Sequence, residues 1–370
     1  MKRWLFPPLL FLKRKKIYFS LPAIFVLTIA TTIFLSSRNT GISQGPTDQN
    51  NITGSSPVVR SIASAEDLAN TDSLGILLLG YGGPGHSGGF LTDTIQVIHI
   101  DFANQSVSLI SIPRDLWVTI ADGTAGKINE AFSHGMSAKN FGSQPGVDTA
   151  KQMAAQVTGI PIDYFVGIDF VGLQRAIGEK LKGVEVVVSE TLDDPWYPIR
   201  GEELNTCGMS PEEVADVSAK LSGFELEKQF PCRYERVYFP AGTHTMEGGD
   251  ALAFVRSRHG SSAGDFSRSK RQHELLQAIV KKMLTLDAIA DTTAFFASFD
   301  KIITTDITAN VVGEFSPQLL SAAKLPRKTI VLGTENVLTT SRSITGQFIL
   351  VPKTGASDWQ TTQNFVTKEQ

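Results

Sequence analysis

The sequence predicts an α/β fold: a single α-β-α layered extracellular domain with a mixed central sheet, preceded by one transmembrane helix. Three observations predict it. Apolar runs of strand length alternate with stretches of helical period along most of the chain. Two neighbouring runs are joined by a short Ala-Asn-Gln connection, so hairpin and crossover pairings share one sheet. Near the N-terminus a charge-free run follows a block of cations.

That block comes first. Residues 1–16 carry Lys2, Arg3, Lys13, Arg14, Lys15 and Lys16 and no acid. The run "IYFSLPAIFVLTIATTIFL", residues 17–35, is about as long as a helix must be to cross the hydrocarbon core of a bilayer. The basic block stays cytoplasmic under the positive-inside rule, which sends the rest of the chain outside. A cleaved signal peptide is the alternative, but "LSSRNT" has no clear A-x-A cleavage site, which favours an uncleaved, single-pass anchor. Residues 36–72, rich in Ser, Thr, Asn, Gln and Gly, read as a flexible extracellular linker.

The folded part starts with "LGILLLG", an apolar run that breaks into glycines as a buried strand does. "DTIQVIHIDF" and "QSVSLISI" follow as a hairpin. "KINEAFSHGM" and "GVDTAKQMAAQVTG" read as helices, and "DYFVGIDF", "VGLQRAIGEKLKG" and "VEVVVSE" as strand, helix and strand. A long amphipathic helix begins at Asp265, its apolar stripe formed by Leu275, Leu276, Ile279, Val280 and Met283. A helix-rich stretch after Asp287 leads to "KTIVLGT" and "GQFILVP", two more runs of strand length. Residues 73–290 are read as the core and 291–370 as a C-terminal extension packed on the same domain. The segment from Leu192 to Arg236 reads as an insertion at the mouth of a pocket. It holds both cysteines of the chain, Cys207 and Cys232. Outside the cytoplasm this pair is a candidate disulfide; two buried thiols are the alternative.

Composition narrows the function. The chain has 370 residues, 42% hydrophobic and 19% charged, with net charge −3, which argues against a nucleic-acid partner. The cations are local: "FVRSRHGSSAGDFSRSKRQHELL" gathers Arg256, Arg258, Arg268, Lys270 and Arg271 around Asp265. Arg268 and Arg271 are three apart and share a helix face. Arginine is suited to phosphate because its planar fork is fixed and its charge permanent. A solvated basic face is the alternative. "SIPRD" places Arg114 in a loop after a strand, and "LTDT" places Asp93 at the start of one. A carboxylate beside arginines is either structural or a ligand for Mg²⁺, which takes one or two carboxylates plus phosphate oxygens. The loop "GYGGPGHSGG" is not a dinucleotide fingerprint, because a strand follows it where the fingerprint opens a helix. His86, His99, His134 and His259 show no metal-ligand spacing.

In order along the chain, "ILLLG…LTDT", "SIPRDLWVTI", "KINEAFSHG", "IDYFVGIDFVGL", "KGVEVVVSE", "GGDALAFVRSRH" and "GDFSRSKRQ" resemble the LytR-CpsA-Psr family from Ile76 to about Leu284. "GQFILVPKTGASDW" resembles a tail seen in some members. The resemblance implies a phosphotransferase at the outer face of the cell membrane. Such an enzyme moves a glycopolymer from a polyprenyl-diphosphate carrier to peptidoglycan or another envelope glycan. It implies a polyprenyl tunnel between sheet and helices, and Mg²⁺ with arginines on the diphosphate. By motif, the arginines are Arg114, Arg256, Arg258, Arg268 and Arg271, the metal carboxylate is Asp93, and Asp265 is a candidate base or Arg-orienting acid. Asp93 is the other candidate base. Many members supply a second metal carboxylate as "GxD"; here that place reads Gly80-Tyr81-Gly82. A polyprenyl-phosphate-binding regulatory protein, or a hydrolase that uses water as acceptor, are the other readings.

Overall fold

The computed structural model describes residues 71–86, 88–120, 123–134, 144–260, 264–285, 299, 302–307, 322 and 325–370. The basic tail, the candidate transmembrane helix at 17–35 and nearly all of the linker lie outside the described residues. So does most of the stretch after Asp287. Among the described residues no helix is long and apolar enough to cross a membrane.

A six-stranded mixed sheet forms the centre, ordered β11-β6-β1-β2-β3-β12. Its strands are β1 (Ser73–Tyr81), β2 (Thr92–Asp101), β3 (Ser106–Ser111), β6 (Tyr164–Asp169), β11 (Ile303–Thr305) and β12 (Arg327–Val331). The hairpin runs antiparallel from β1 to β2 to β3, while β6 joins β1 and β12 joins β3 in parallel. Side chains alternate across a strand, so each strand feeds both faces of the sheet. On β1, Leu77 and Leu79 face one core, with Val97 of β2 and with Val147, Met153 and Ala154 of α1 (Gln144–Thr158). The C-terminal helix α7 (Gln360–Glu369) adds Val366 to that core. Leu74 and Ile76 face the opposite side, with Ile98, Ile100 and Val166.

That second face is covered by α5 (Gly248–Arg256) and α6 (Gly264–Thr285). These helices share a third core with the two-stranded ribbon of β7 (Val184–Val188) and β10 (Gly242–Met246). Chain entry to β1 is tight: a Cβ on Gly75 would come within 2.0 Å of the Pro161 carbonyl, so only glycine fits there. Beside it the buried Lys151 ties α1 to the sheet, donating to the Asp163 carbonyl at 2.8 Å and pairing with Asp306. A single buried cation with two oxygen partners holds register where apolar contact alone would permit sliding.

One helix expectation needs correction. "KINEAFSHGM" is not an α-helix: Lys127 ends β5 (Ala125–Lys127), and Ile128–Ser133 follows as a 3₁₀ turn. The three-residue period stacks Ile128 on Ala131, both buried, which suits a segment too short for an amphipathic α face. "VGLQRAIGEKLKG" begins as α2 (Phe170–Arg175) but continues as a π turn over Ala176–Lys180. "GQFILVP" is a strand, β14 (Phe348–Pro352), paired with β13 (Leu338–Arg342) in a separate ribbon.

His273 of α6 is buried against the sheet, its Nε2 2.9 Å from Ser111 Oγ, and Gln96 Nε2 donates to the same hydroxyl at 3.3 Å. Burial pushes this imidazole down from 6.5 to about 4. The depressed pKa means that the unfolded chain binds a proton where the folded chain does not. Stability is therefore full above pH 6.5 and falls as pH drops from about 6.5 to 4, by roughly 3 kcal/mol in all. Urea unfolding of wild type and His273→Gln at pH 7 and 4.5 measures it. The variant should lose less stability over that interval, and an equal loss in both proteins would refute the assignment.

Candidate functional site

The ends of several elements converge on one cavity of about 570 Å³. Its inner wall is apolar. Ile76, Leu78, Ile98 and Val166 come from the second sheet face, and Leu252, Val255, Leu275, Leu276 and Ile279 from α5 and α6. Its mouth is polar and carries Asp93, Arg114, Arg256, Arg258 and Arg268. The architecture dictates this split: the space between a sheet and its covering helices is apolar, and the loops at its end supply charge.

Each charged group is fixed locally. Arg114 follows Pro113 after β3 and forms an ion pair with Asp93, near the start of β2. Its Nε lies 3.6 Å from Asp115, which Lys127 also engages at 2.6 Å. Arg258 Nη2 is 3.9 Å from Asp93, and its side chain is otherwise exposed. Arg256 ends α5 with its guanidinium 4.2 Å from the Phe170 ring centroid, and Nη1 donates to Tyr197 Oη at 3.4 Å. Burial pushes the Tyr197 phenol up, so it stays a neutral hydroxyl beside that cation. Arg268, on the first turns of α6, is only 8% exposed yet lines the cavity. Gln272, one turn further on, donates to Thr94 Oγ1 at 2.9 Å and seats α6 on β2.

The loop from α5 to α6 depends on a buried acid that the sequence did not single out. Asp194 is 1% exposed. Its Oδ2 accepts from Ser257 Oγ at 2.5 Å and from the backbone N–H of Arg258 and His259, each at 3.2 Å; its Oδ1 accepts from Trp196 N at 2.9 Å. One carboxylate thus sets the path of the chain that carries Arg258.

Asp194 belongs to the ribbon of β8 (Leu192–Pro198) and β9 (Tyr234–Phe239), which brackets the expected insertion. Between them lie α3 (Pro211–Lys220), with a Ser210/Glu213 capping box, and the one-turn α4 (Phe224–Glu227). A disulfide joins Cys207 to Cys232, their Cα atoms 5.6 Å apart. Trp196, Tyr234 and Glu227 of this unit line the cavity. Phe224 stacks on His259 at 4.4 Å and meets Trp196 edge-on at 5.6 Å. The insertion is an aromatic roof over the arginine mouth.

Of the expected site residues, Asp93, Arg114, Arg256, Arg258 and Arg268 are brought together at this mouth. Arg271 is not among the residues that line the cavity. It is 6% exposed, and its Nε and Nη2 donate to the carbonyls of Phe254 at 2.7 Å and Ser257 at 2.5 Å. Three residues along α6 from Arg268, it points at the C-terminal carbonyls of α5 and bolts the two helices together. Asp265 falls in the first turn of α6, with its side chain outside the described residues. Besides Asp194, sequence reasoning passed over Phe170 and Tyr197, which flank Arg256. A polar residue at an insertion boundary and an aromatic at a strand end carry no motif of their own. His86, which shows no metal-ligand spacing in the sequence, also lines the cavity.

The donor set decides what metal could sit here. Among the described residues no three His, Cys, Asp or Glu side chains gather as a metal cage. Asp93, set among arginines, fits a hard ion that arrives with its phosphate ligands, the usual way Mg²⁺ is held.

A family model described as the LytR_cpsA_psr family matches residues 33–362. The chain is 29% identical over 202 residues to the polyisoprenyl-teichoic acid–peptidoglycan teichoic acid transferase TagV of Bacillus subtilis, covering 54% of this chain and 40% of that protein. It is 25% identical over 262 residues to the corresponding transferase TagU of Halalkalibacterium halodurans, covering 70% and 69%. The chain thus spans less than half the length of the first of these relatives. Its fold is that of protein gbs0355 from Streptococcus agalactiae, with TM-score 0.58, 20% identity, and coverage of 84% and 91%.

Proposed function

Because the chain belongs to the LytR-CpsA-Psr family, we propose that it is a membrane-anchored phosphotransferase. It moves a glycopolymer from a polyprenyl-diphosphate carrier to a hydroxyl of peptidoglycan or another envelope glycan. The observation that carries this reading is the two-part cavity, apolar between sheet and helices and cationic at its mouth. A long hydrocarbon joined to a diphosphate is the molecule such a cavity matches. The anchor is residues 17–35, which leaves the folded domain outside the membrane.

The polyprenyl tail lies along Ile76, Ile98, Leu275 and Ile279, and the diphosphate sits among Arg114, Arg256, Arg258 and Arg268. An acceptor hydroxyl oxygen attacks the phosphorus that bears the sugar. The bond from that phosphorus to the bridging oxygen breaks, and polyprenyl phosphate departs with the electron pair. Arg256, Arg258 and Arg268 hold the charge that builds on the leaving phosphate; most of the rate gain is this fixed electrostatics and positioning. Asp93 keeps Arg114 and Arg258 aimed inward. Asp93 would hold Mg²⁺ together with phosphate oxygens, and the ion would supply charge neutralisation at the phosphoryl group.

The test is transfer by the full-length chain in detergent, given a polyprenyl-diphosphate-linked sugar, a peptidoglycan oligosaccharide and Mg²⁺. Mass spectrometry should show a phosphosugar on the acceptor and one polyprenyl phosphate per adduct, with less of both after EDTA. Polyprenyl phosphate released equally without acceptor would instead mean hydrolysis. Tight donor binding with no turnover would mean a carrier-binding regulator.

A further inference from the structure

A second cavity of about 550 Å³ opens beside the first and shares His86, Phe170, Tyr197, Pro198, Leu252 and Arg256 with it. We propose that this second cavity seats the sugar of the hydroxyl acceptor, and that His86, at the junction, takes the proton from the attacking hydroxyl. The inference rests on the transfer reading above and adds to it where the acceptor binds and which base acts.

The wall chemistry points to a sugar. Beyond the shared residues it presents Gln174, Arg200, Glu235, Arg236, Tyr238 and Asp250. With the shared Arg256, three guanidinium groups line it against two carboxylates, and Arg236 is already paired with Asp193, so the wall is of mixed charge rather than a second cationic cradle. Nor is it greasy enough for a second lipid, unlike its neighbour. Neutral polyols are bound by mixed amide, carboxylate and guanidinium groups beside an aromatic plane, and Tyr238 supplies the plane with 52% exposure. Arg236 is braced there by Asp193 at 2.7 Å and lies 5.0 Å from the Tyr238 ring centroid.

The junction is where the acceptor and the diphosphate must meet. Phe170 builds it: the Arg256 guanidinium lies 4.2 Å from its ring centroid, and His86 meets it edge-on at 5.4 Å. A sugar hydroxyl entering from the second cavity therefore passes His86 on its way to a phosphate held by Arg256. The glycine loop makes this placement possible. Gly83 N donates to Gly89 O at 2.8 Å and Gly89 N to His86 O at 2.9 Å, which closes the loop on itself. Gly83 has φ +83°, and a Cβ there would lie 2.9 Å from Asp169 Oδ2, so the knot requires glycine. Burial first, and then the charges of Arg256 and Arg200, hold the His86 pKa below the ordinary value, against the opposite pull of Glu203 and Asp169. A neutral imidazole accepts a proton, whereas Asp93 is already paired with arginine.

In the step, the hydroxyl O–H bond breaks and its proton goes to a ring nitrogen of His86. The oxygen forms the new bond to phosphorus, the bridging P–O bond breaks, and polyprenyl phosphate leaves with the electron pair. The products are a sugar-phosphate diester on the acceptor and polyprenyl phosphate, with the proton then released to solvent.

Initial rates of the full-length chain are measured against donor and acceptor separately. His86→Gln should lower kcat about 100-fold with both KM values unchanged, and should remove the acidic limb of the pH profile. His86→Ala should recover activity with added imidazole. Gln174→Ala and Asp250→Ala, both at the cavity rim, should raise the acceptor KM about tenfold and leave the donor KM alone. A wild-type rate or an intact acidic limb in His86→Gln overturns the base assignment. A rise in donor KM alone shows that the cavity holds the transferred polymer, and overturns the acceptor assignment, as does no change at all. Calorimetric titration with the peptidoglycan oligosaccharide reads the subsite without turnover. Wild type should bind, and the two rim variants should bind about tenfold more weakly. Binding without any adduct would sink the transferase reading and leave the subsite standing; no wild-type binding would sink the subsite.

Discussion

Arg256→Ala is expected to lower glycopolymer transfer by about 100- to 1000-fold, the usual cost of removing one fixed donor from a developing oxyanion. Arg256 closes α5, lies over Phe170 and reaches Tyr197, so its guanidinium is oriented before any substrate arrives. Arg256→Lys keeps the charge but loses the planar fork, and should recover only a small part of the rate. Arg268→Ala should cost at least as much, because its side chain is 8% exposed and spends that exposure on the cavity. The pair together should leave no measurable adduct. Arg258→Ala should cost less, since Arg258 is exposed at the rim and can reorient. Mass-spectrometric rates on proteins with unchanged circular dichroism provide the check. Full activity in both Arg256→Ala and Arg268→Ala would remove the cradle from the mechanism.

Asp194→Ala is expected to be the most damaging substitution for stability at the site, by roughly 3 to 5 kcal/mol. Each buried donor deprived of its partner costs about 1 to 3 kcal/mol, and several lose theirs together without simple additivity. The donors are Ser257 Oγ and the N–H groups of Arg258, His259 and Trp196. Asp194→Asn keeps one carbonyl oxygen and should lose less than half as much. Urea unfolding gives the magnitude. At temperatures where Asp194→Asn remains folded, transfer should still fall, because the chain through Arg258 loses its anchor. An unchanged unfolding midpoint in Asp194→Ala would show that these bonds are replaced by water.

The hairpin, the strand alternation and the arginines could be read from the chain because each leaves a local signature. Leu77 and Leu79 alternate with Ile76 and Leu78, and the period of two survives in any context. Arg256 and Arg268 stand in recognisable strings. What escaped reading depends on long-range geometry. Arg271 has the same chemistry as Arg268 and lies three residues on, but its guanidinium reaches the carbonyls at the end of α5, whereas Arg268 lines the cavity. Asp194 gains its role only when β8 brings it beneath Ser257, 63 residues away. The 3₁₀ turn at Ile128–Ser133 was misread because its buried residues fit either period over so short a span. The second cavity has no string at all, since α2, α5 and the β8–β9 ribbon each contribute a side.

The roof over the cationic mouth takes its shape from its own parts: a two-stranded stem, a capped helix and the Cys207–Cys232 bridge. It touches the chemistry through Asp194, through Tyr197 beside Arg256, and through the Phe224 ring on His259. Such a unit behaves as a cassette. Its outward-facing sequence is free to drift without renegotiating the arginines beneath it, as long as Asp194 and Tyr197 in the stem are kept. Which polymer is admitted can then diversify on a site that stays the same, and grafting a foreign roof between Pro198 and Tyr234, which leaves Asp194 and Tyr197 in place, is the natural way to redirect the proposed transfer.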